Sequence, residues 1–252
     1  MKSKKILVLS DLHCGNMLGL TPPQYYNEFR EVQETGWKFF TEEIKKLGPV
    51  DLCIVQGDAV DGPGKKDSLC HITTNVATQR KIAIECLKQV KTSKFIFIRG
   101  TGFHVTTDLE IEDDIAAHFG AEIYDERKIN VNGCILHCRH VSGKGGTAYG
   151  SATSLQRSAV VKLMDDVATC SEQADIYMRS HIHEAMCIER SVFTALTTPA
   201  LKFKGESFGR KCTGFLDYGF TWLEIRGKKD FDVHMVTMKT GGEHKAEEIT
   251  KI

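Results

Sequence analysis

Residues 6–13 read Ile6-Leu7-Val8-Leu9-Ser10-Asp11-Leu12-His13, an apolar, β-branched run that ends on a carboxylate and an imidazole. A short continuous apolar run of this kind is the pattern of a buried strand. Two later runs repeat it: residues 51–56 (DLCIVQ) end at Gly57-Asp58, and residues 95–98 (FIFI) end at Arg99-Gly100. Between the first two, Phe29, Val32, Trp37, Phe40, Ile44 and Leu47 recur at helical spacing up to the helix stop Gly48-Pro49. Residues 74–90 read as a second helix. The order β-α-β-α-β predicts a parallel sheet with helices on its faces.

The second half reads as more antiparallel. A short helix is expected at 110–119 and a hairpin at 129–136, with Asn132-Gly133 as its turn signal. A longer helix is expected at 154–170, its apolar face formed by Leu155, Val160, Val161, Met164 and Val167. A strand starting at Asp175 runs to Ser180-His181, and short strands follow near 185–189, 192–197, 219–225 and 231–237. No repeat, low-complexity tract or linker breaks the chain. One domain over residues 1–252 is expected, with a frayed, Gly- and charge-rich tail from about residue 239.

Composition narrows the classes. The 252 residues are 41% hydrophobic and 26% charged, ordinary for a globular protein. Thirty-three Lys+Arg balance 33 Asp+Glu, so the chain is not a strongly basic nucleic-acid clamp. The nine cysteines form no CxxC pair and are odd in number, which suits free thiols in a reducing, cytoplasmic compartment. No apolar run approaches the ~18 residues that cross a bilayer, so no membrane association is expected. The apolar run after the basic start is too short for a secretory signal. The unusual number is ten histidines.

Their positions matter more than their count. Asp11 and His13 follow the first strand, Asp58 and Asp61 the second, and His104 the third. His140 ends the strand that starts at Cys134, and His181 and His183 follow the strand that starts at Asp175. In open α/β sheets, sites form beyond the carboxyl ends of the strands, so five segments aim Asp and His at one rim. Taken singly, each motif has a bland reading. Asp-x-His arises by chance, the segment from Gly57 to Gly62 equally suits a turn, and His181-x-His183 alone is better read as alternating strand residues. His71, His118, His234 and His244 lack such a setting and are treated as structural or solvated. Cys14 and Cys138 are expected to pack as small apolar groups. His137 lies in the same strand as His140, two residues before its end.

Together the motifs say more. Asp and neutral His suit divalent Mn, Fe or Zn, whereas an all-oxygen set would suit Mg or Ca. Six such ligands exceed the need of one tetrahedral ion. Two ions ~3.5–4 Å apart fit better, a pair that polarises a phosphoryl oxygen and generates a hydroxide nucleophile near neutral pH.

The series Asp11-Leu-His13, Gly57-Asp58-x-x-Asp61, a Gly-led His104, His140 and His181-x-His183 resembles the calcineurin-like metallophosphoesterase superfamily, in the family's order and across about two-thirds of the chain. The resemblance implies a four-layer α/β/β/α sandwich with mixed sheets. It implies that Asp11, His13 and His183 hold one metal, that Asp58 bridges, and that His140 and His181 hold the second. It makes His104 the general acid that contacts phosphate, and Asp61 the carboxylate that orients it. His140 is preferred over His137 because a ligand belongs at the strand's end, and because the family pattern places it seven residues past the hairpin Gly133. Three positions depart from the pattern. The family's Gly-Asn-His is here Gly100-Thr-Gly-Phe-His104, so the Asn that ligates the second metal is missing and Thr101, or water, would replace it. The first Gly of Gly-His-x-His is Ser180. The Arg that follows the second Asp in protein Ser/Thr phosphatases is Gly62, which argues against a phosphoprotein substrate. The Gly-Thr-x-x-His form, with Ser-Gly after His140, is similar to phage-type metallophosphatases.

The implied activity is metal-dependent phosphoester hydrolysis, by a phosphodiesterase or a phosphatase acting on nucleotides or nucleic acid. Lys65, Lys66, Lys144, Arg157, Lys202, Lys204, Arg210 and Lys211 either meet phosphates at the rim or form a solvated surface. The alternatives are a metal-binding scaffold of the same fold with impaired catalysis, favoured by the missing Asn, and a structural α/β domain with incidental histidines.

Overall fold

Three of the apolar runs form adjacent parallel strands, Lys4–Leu9 (β1), Leu52–Gln56 (β2) and Phe95–Ile98 (β3), in the computed structural model. The structure describes residues 2–63, 70–102, 111–143, 150–204 and 216–238. A two-residue strand, Ile123–Tyr124 (β4), extends the sheet beyond β3. On its other side, Gly219–Gly227 (β10) pairs antiparallel with β1, and Asp230–Thr237 (β11) pairs with β10. The first sheet is therefore mixed, in the order β11-β10-β1-β2-β3-β4.

The second sheet has five strands. The expected hairpin is Glu126–Val131 (β5) and Cys134–Val141 (β6), turning at Asn132 and Gly133, both at positive φ. Ile176–Ser180 (β7) runs parallel to β6 and to Thr194–Thr197 (β9), and Met186–Glu189 (β8) closes the edge antiparallel to β9.

Side-chain alternation explains why these strands read as unbroken apolar runs. Leu7 and Leu9 of β1, with Cys53, Val55 and Phe97, face a core built with Phe40, Ile44, Ile82, Leu87 and Ile115. Those partners lie on Arg30–Leu47 (α1), Val76–Leu87 (α2) and Ile111–His118 (α3). Ile6, Val8, Leu52 and Ile54 point the other way and meet Leu136, Cys138, Ile176, Met178 and Leu196 of the second sheet. The outer face of the second sheet (Ile135, Tyr177, Ala195) is covered by Gly150–Ala168 (α4) through Leu155 and Ala159. The layers are helices, sheet, sheet, helix. Each fully buried Leu or Ile contributes about 1.5–3 kcal/mol to this core.

Local signals fix the helix ends. The Asn75 side chain accepts from Thr78 N–H at 3.1 Å to cap α2, and Gly48, at positive φ, closes α1 with its N–H on the Ile44 carbonyl. Two expectations need correction. Helix α4 begins at Gly150, four residues earlier than expected, and its apolar face is displaced. Leu155 and Ala159 are buried with Val160 and Leu163 packed beside them, while Val161, Met164 and Val167 are 58%, 65% and 56% exposed. The buried stripe runs 155-159-163-166 at i+4, i+4, i+3. It ends on the buried carboxylate of Asp166, which Lys128 meets at 2.8 Å, so the apolar residues one turn-face away were left to solvent. The tail from residue 239 lies outside the described residues.

Candidate metal centre

The loops that follow β1 and β2 are zipped together by backbone. Asp11 N–H donates to Gly57 O at 3.0 Å, His13 N–H to Asp58 O at 3.0 Å, and Cys14 N–H to Ala59 O at 3.1 Å. Asp61 N–H returns to Cys14 O at 3.2 Å. The side chains of the two loops are thereby delivered to one place. Asp11 (φ 51°), His13 (46°), Asp58 (50°), His181 (75°) and His183 (60°) all have left-handed backbone. Such a conformation is uncommon outside glycine, and its concentration here marks a site held by its surroundings.

Two groups of side chains result. Asp11, His13 and His183 each offer a ligand atom within 4.8 Å of the others, and so do Asp58, His140 and His181. In the first group, His13 Nε2 lies 3.3 Å from His183 Nε2, and His183 Nε2 lies 3.2 Å from Asp11 Oδ1. Asp11 Oδ1 is buried, lacks a well-formed hydrogen bond, and also faces His140 Nε2 at 3.9 Å, so the two groups adjoin. In the second group, His140 Nε2 is 3.0 Å from Asp58 Oδ2, and His181 Nδ1 is 3.9 Å from the same oxygen. Converging imidazole nitrogens around buried carboxylates are the donor set of a nitrogen- and oxygen-ligated divalent cation. The residues present fit such ions.

Electrostatics agree with that donor set. Burial raises the Asp11 carboxyl, but the positive charges of His183 and His140 outweigh it and hold the group well below the usual carboxylate range. Burial lowers His140, yet the charges of Asp58 and Asp11, with hydrogen bonds to Asp58 and the Gln56 carbonyl, raise it to about 10.

Strand parity separates His140 from His137. Leu136 and Cys138 face the first sheet, so His140 does too, and its Nδ1 donates to Gln56 O at 2.7 Å. A bulge between Cys138 and Val141 adjusts the end of β6. His137 shares the Ile135 face, under α4. There Arg179 donates to its Nδ1 at 3.1 Å, and burial, with the Arg179 charge, lowers it to about 3.

Tight backbone packing surrounds the second group. A Cβ at Gly57 (φ +82°) would lie 2.4 Å from His140 Nδ1, and a Cβ at Gly100 would lie 2.2 Å from Asp58 Oδ1. Only glycine permits these approaches. Glu112 of α3, 1% exposed, accepts from Ala59 N–H at 3.0 Å and Gly100 N–H at 2.8 Å, tying the β2 and β3 loops together. Burial and the neighbouring Asp58 charge raise it to about 7. Below the site, Ser10 and Ser180 hydroxyls meet Thr198 Oγ1 at 2.6 and 2.7 Å, and Gln56 donates to Ser180 at 3.1 Å, a buried polar tie between the sheets.

Comparison with known proteins bears on the fold. No protein-family model matches the sequence, and no curated protein does. Among solved structures, a single mutant of Vps29 from Entamoeba histolytica is similar at 12% identity and a TM-score of 0.53, over 94% of each chain. Vacuolar protein sorting 29 from Cryptosporidium parvum is similar at 10% identity and a TM-score of 0.50, over 94% of this chain and 98% of its own. The chain has the metallophosphoesterase fold. At these identities the likeness is one of fold.

On the metallophosphoesterase fold, the three departures have distinct structural settings. Thr101, expected from the resemblance to replace the missing Asn, donates its N–H to Asp58 Oδ1 at 2.7 Å, and its hydroxyl reaches the two Asp58 oxygens at 3.2 and 3.3 Å. Ser180 is absorbed into the Thr198 tie. Gly62 exchanges hydrogen bonds with the Gln79 amide at 2.9 and 2.8 Å. The expected partner of Asp61, His104, lies outside the described residues. Within them, Asp61 accepts from His13 Nδ1 at 2.8 Å, Asn16 Nδ2 at 2.9 Å and Lys202 Nζ at 3.2 Å, and meets His71 Nε2 at 2.9 Å. Burial raises this carboxyl, but the hydrogen bonds of His13 and His71 and the charges of His13 and Lys202 hold it far below the usual range.

His71, expected to be structural or solvated, is buried and lies beside the candidate site. Its sequence setting gave no sign, because it reaches Asp61 through an isolated bridge between Asn16 and His71, not through a strand end. Glu112 was also missed: its partners are backbone amides, which leave no residue signature. Cys14 and Cys138 are buried as expected. Of the rim cations, Lys65, Lys66, Lys144, Arg210 and Lys211 lie outside the described residues, Lys202 pairs with Asp61, and Arg157 and Lys204 are exposed. Among the described residues, no helix is long and apolar enough to cross a membrane.

Proposed function

We propose that the chain is a dinuclear metal-dependent phosphoesterase, with Asp11, His13 and His183 holding one divalent ion, His140 and His181 the other, and Asp58 between them. The observation that carries this is the adjoining pair of Asp/His groups, one centred on Asp11 and one on Asp58, each with ligand atoms within 4.8 Å. Two ions so held supply Lewis acidity toward a phosphoryl oxygen and activate water at neutral pH. The chain's own part is positional. Asp61 fixes the His13 ring, the Gln56 carbonyl fixes the His140 ring, and Glu112 holds the two loops that carry Asp58 and Gly100. His104 is assigned as the acid that protonates the leaving oxygen.

The metals we assign are Mn, Fe or Zn, because three of the four candidate imidazoles are buried beside carboxylates and none of the groups is all-oxygen. A phosphoester of a nucleotide or a nucleic-acid end is the substrate assigned, since a formal net charge of zero suits one phosphate better than a long polyanion. The free cysteines suit a reducing, cytoplasmic setting. Purified protein loaded with Mn is expected to bind two ions and to hydrolyse p-nitrophenyl phosphate or its bis-ester. Equal rates for wild type and Asp58→Asn would sink the assignment.

One observation favours a second reading, a metal-binding scaffold. Thr101 donates to Asp58 where the family's Asn would offer an oxygen to the second ion. One bound ion without turnover supports the scaffold; two ions with turnover support the enzyme.

A further inference from the structure

Asp61 is a buried carboxylate, 7% exposed, and among the described residues both of its oxygens are met. Oδ1 faces His13 Nδ1 at 2.8 Å and Lys202 Nζ at 3.2 Å, and Oδ2 faces Asn16 Nδ2 at 2.9 Å and His71 Nε2 at 2.9 Å. Lys202 and Asn16 can only donate here. A carboxylate held from both sides cannot swing, so it remains a fixed acceptor for His13 Nδ1–H. That bond sets the His13 tautomer and turns its Nε2 lone pair toward Asp11 and His183, the arrangement by which a carboxylate behind a histidine orients a metal ligand.

His71 completes this clamp in two ways. Its ring, 4% exposed, meets the oxygen of Asp61 that His13 does not use. Its backbone segment also pins the loop after β1. Met17 N–H donates to Cys70 O at 2.8 Å, and Ile72 N–H donates to Gly15 O at 2.8 Å, on either side of the Asn16–His71 bridge. Asn16, the other residue on Oδ2, is carried by that same loop.

We infer that His71 is a positioning residue of the metal centre: through Asp61 it holds His13 in the orientation that the Asp11/His13/His183 group needs to bind its ion. The inference rests on the proposed metal-binding function, and its test is chosen to separate the two. In a His181→Ala background the first group is read alone, and in a His183→Ala background the second. Cobalt(II) or Mn(II) affinity is measured in each by competition with a chelator.

Adding His71→Phe is expected to weaken the first group about 10–100-fold, the usual cost of losing an outer-shell partner, and to leave the second group unchanged. His71→Gln, which keeps an N–H donor, is expected to recover most of the loss. Unchanged affinity of the first group, or equal weakening of both groups, overturns the inference. Should His71→Phe fail to fold by circular dichroism, His71→Ala with added imidazole takes its place. Restored first-group affinity supports the clamp, and no restoration overturns it. Wild-type protein that binds no ion sinks the metal-binding reading itself, whereas two ions in wild type with an indifferent His71 variant sink only this inference.

Discussion

The two ligand groups differ in how they are held. Asp11, His13 and His183 are all nearly inaccessible, and His13 is gripped from behind by the Asp61 carboxylate. In the second group Asp58 and His140 are buried, but the His181 side chain is 35% exposed, and Thr101 donates to the Asp58 carboxylate, where the family resemblance implies an oxygen ligand. A site with a fixed outer partner and no solvent access is preorganised. One with an exposed member and a competing hydrogen bond gives up affinity each time it loads. On the proposed function, that difference would make the first group the tighter seat and the second the one on which activity turns.

The strongest test of that contrast is Asp58→Asn. It neutralises the carboxylate that the proposed function puts between the two ions, and activity is expected to fall more than about 100-fold, beyond the loss of an outer-shell partner. One ion should remain at the first group; loss of both ions, measured by elemental analysis, would erase the distinction between tight and loose seats. Next in size is Gly57→Ala. Its Cβ would strike His140 Nδ1 at 2.4 Å on backbone at φ +82°. A stability loss of about 1–3 kcal/mol is expected by urea titration, together with selective loss of the second ion.

Proton linkage sharpens the comparison further. His140 is raised to about 10 in the metal-free fold. Because that value lies above the ordinary 6.5, its proton stabilises the metal-free fold fully below the ordinary value, and the contribution is lost as pH rises through about 10. An ion at the second group must displace the proton, so its affinity should rise by about tenfold per pH unit near neutrality. Calorimetry in buffers of differing ionisation enthalpy would register the released proton; pH-independent loading of the second group would contradict the assignment of His140. The smallest effect expected is from Thr101→Asn. It replaces a donor with an amide oxygen and should tighten the second ion modestly, leaving the first unchanged. If the second ion binds no better, Thr101 is not what loosens that seat.

Much of this arrangement was legible in the sequence because burial on two faces makes unbroken apolar runs, and because ligands at strand ends sit beside them. The Ile6–Leu9, 51–56 and 95–98 runs each became a strand. The two-residue β4 left no such run; it exists only through pairing with β3. The face of α4 was misjudged because Val161, Met164 and Val167 are as apolar as the residues actually buried, and only the sheet beneath decides between stripes. At the site, Asp11, His13, Asp58, His140, His181 and His183 converge as their strand-end positions suggested. Thr101 is next to Asp58 as well, but as a donor. The clamp on Asp61 was not legible, since His71, Asn16 and Lys202 come from three segments with no common spacing.

The left-handed backbone at five of the six converging residues has a consequence for how such a chain drifts over generations. Asp, Asn and His are the non-glycine residues that enter this conformation most readily. The substitutions that least disturb the loops are therefore exchanges among these three, and a single base change in an Asp or His codon yields Asn. Such a change alters the charge or donor set facing an ion while leaving the loop geometry intact. One codon change can therefore alter the donor set at this rim while the architecture stays the same.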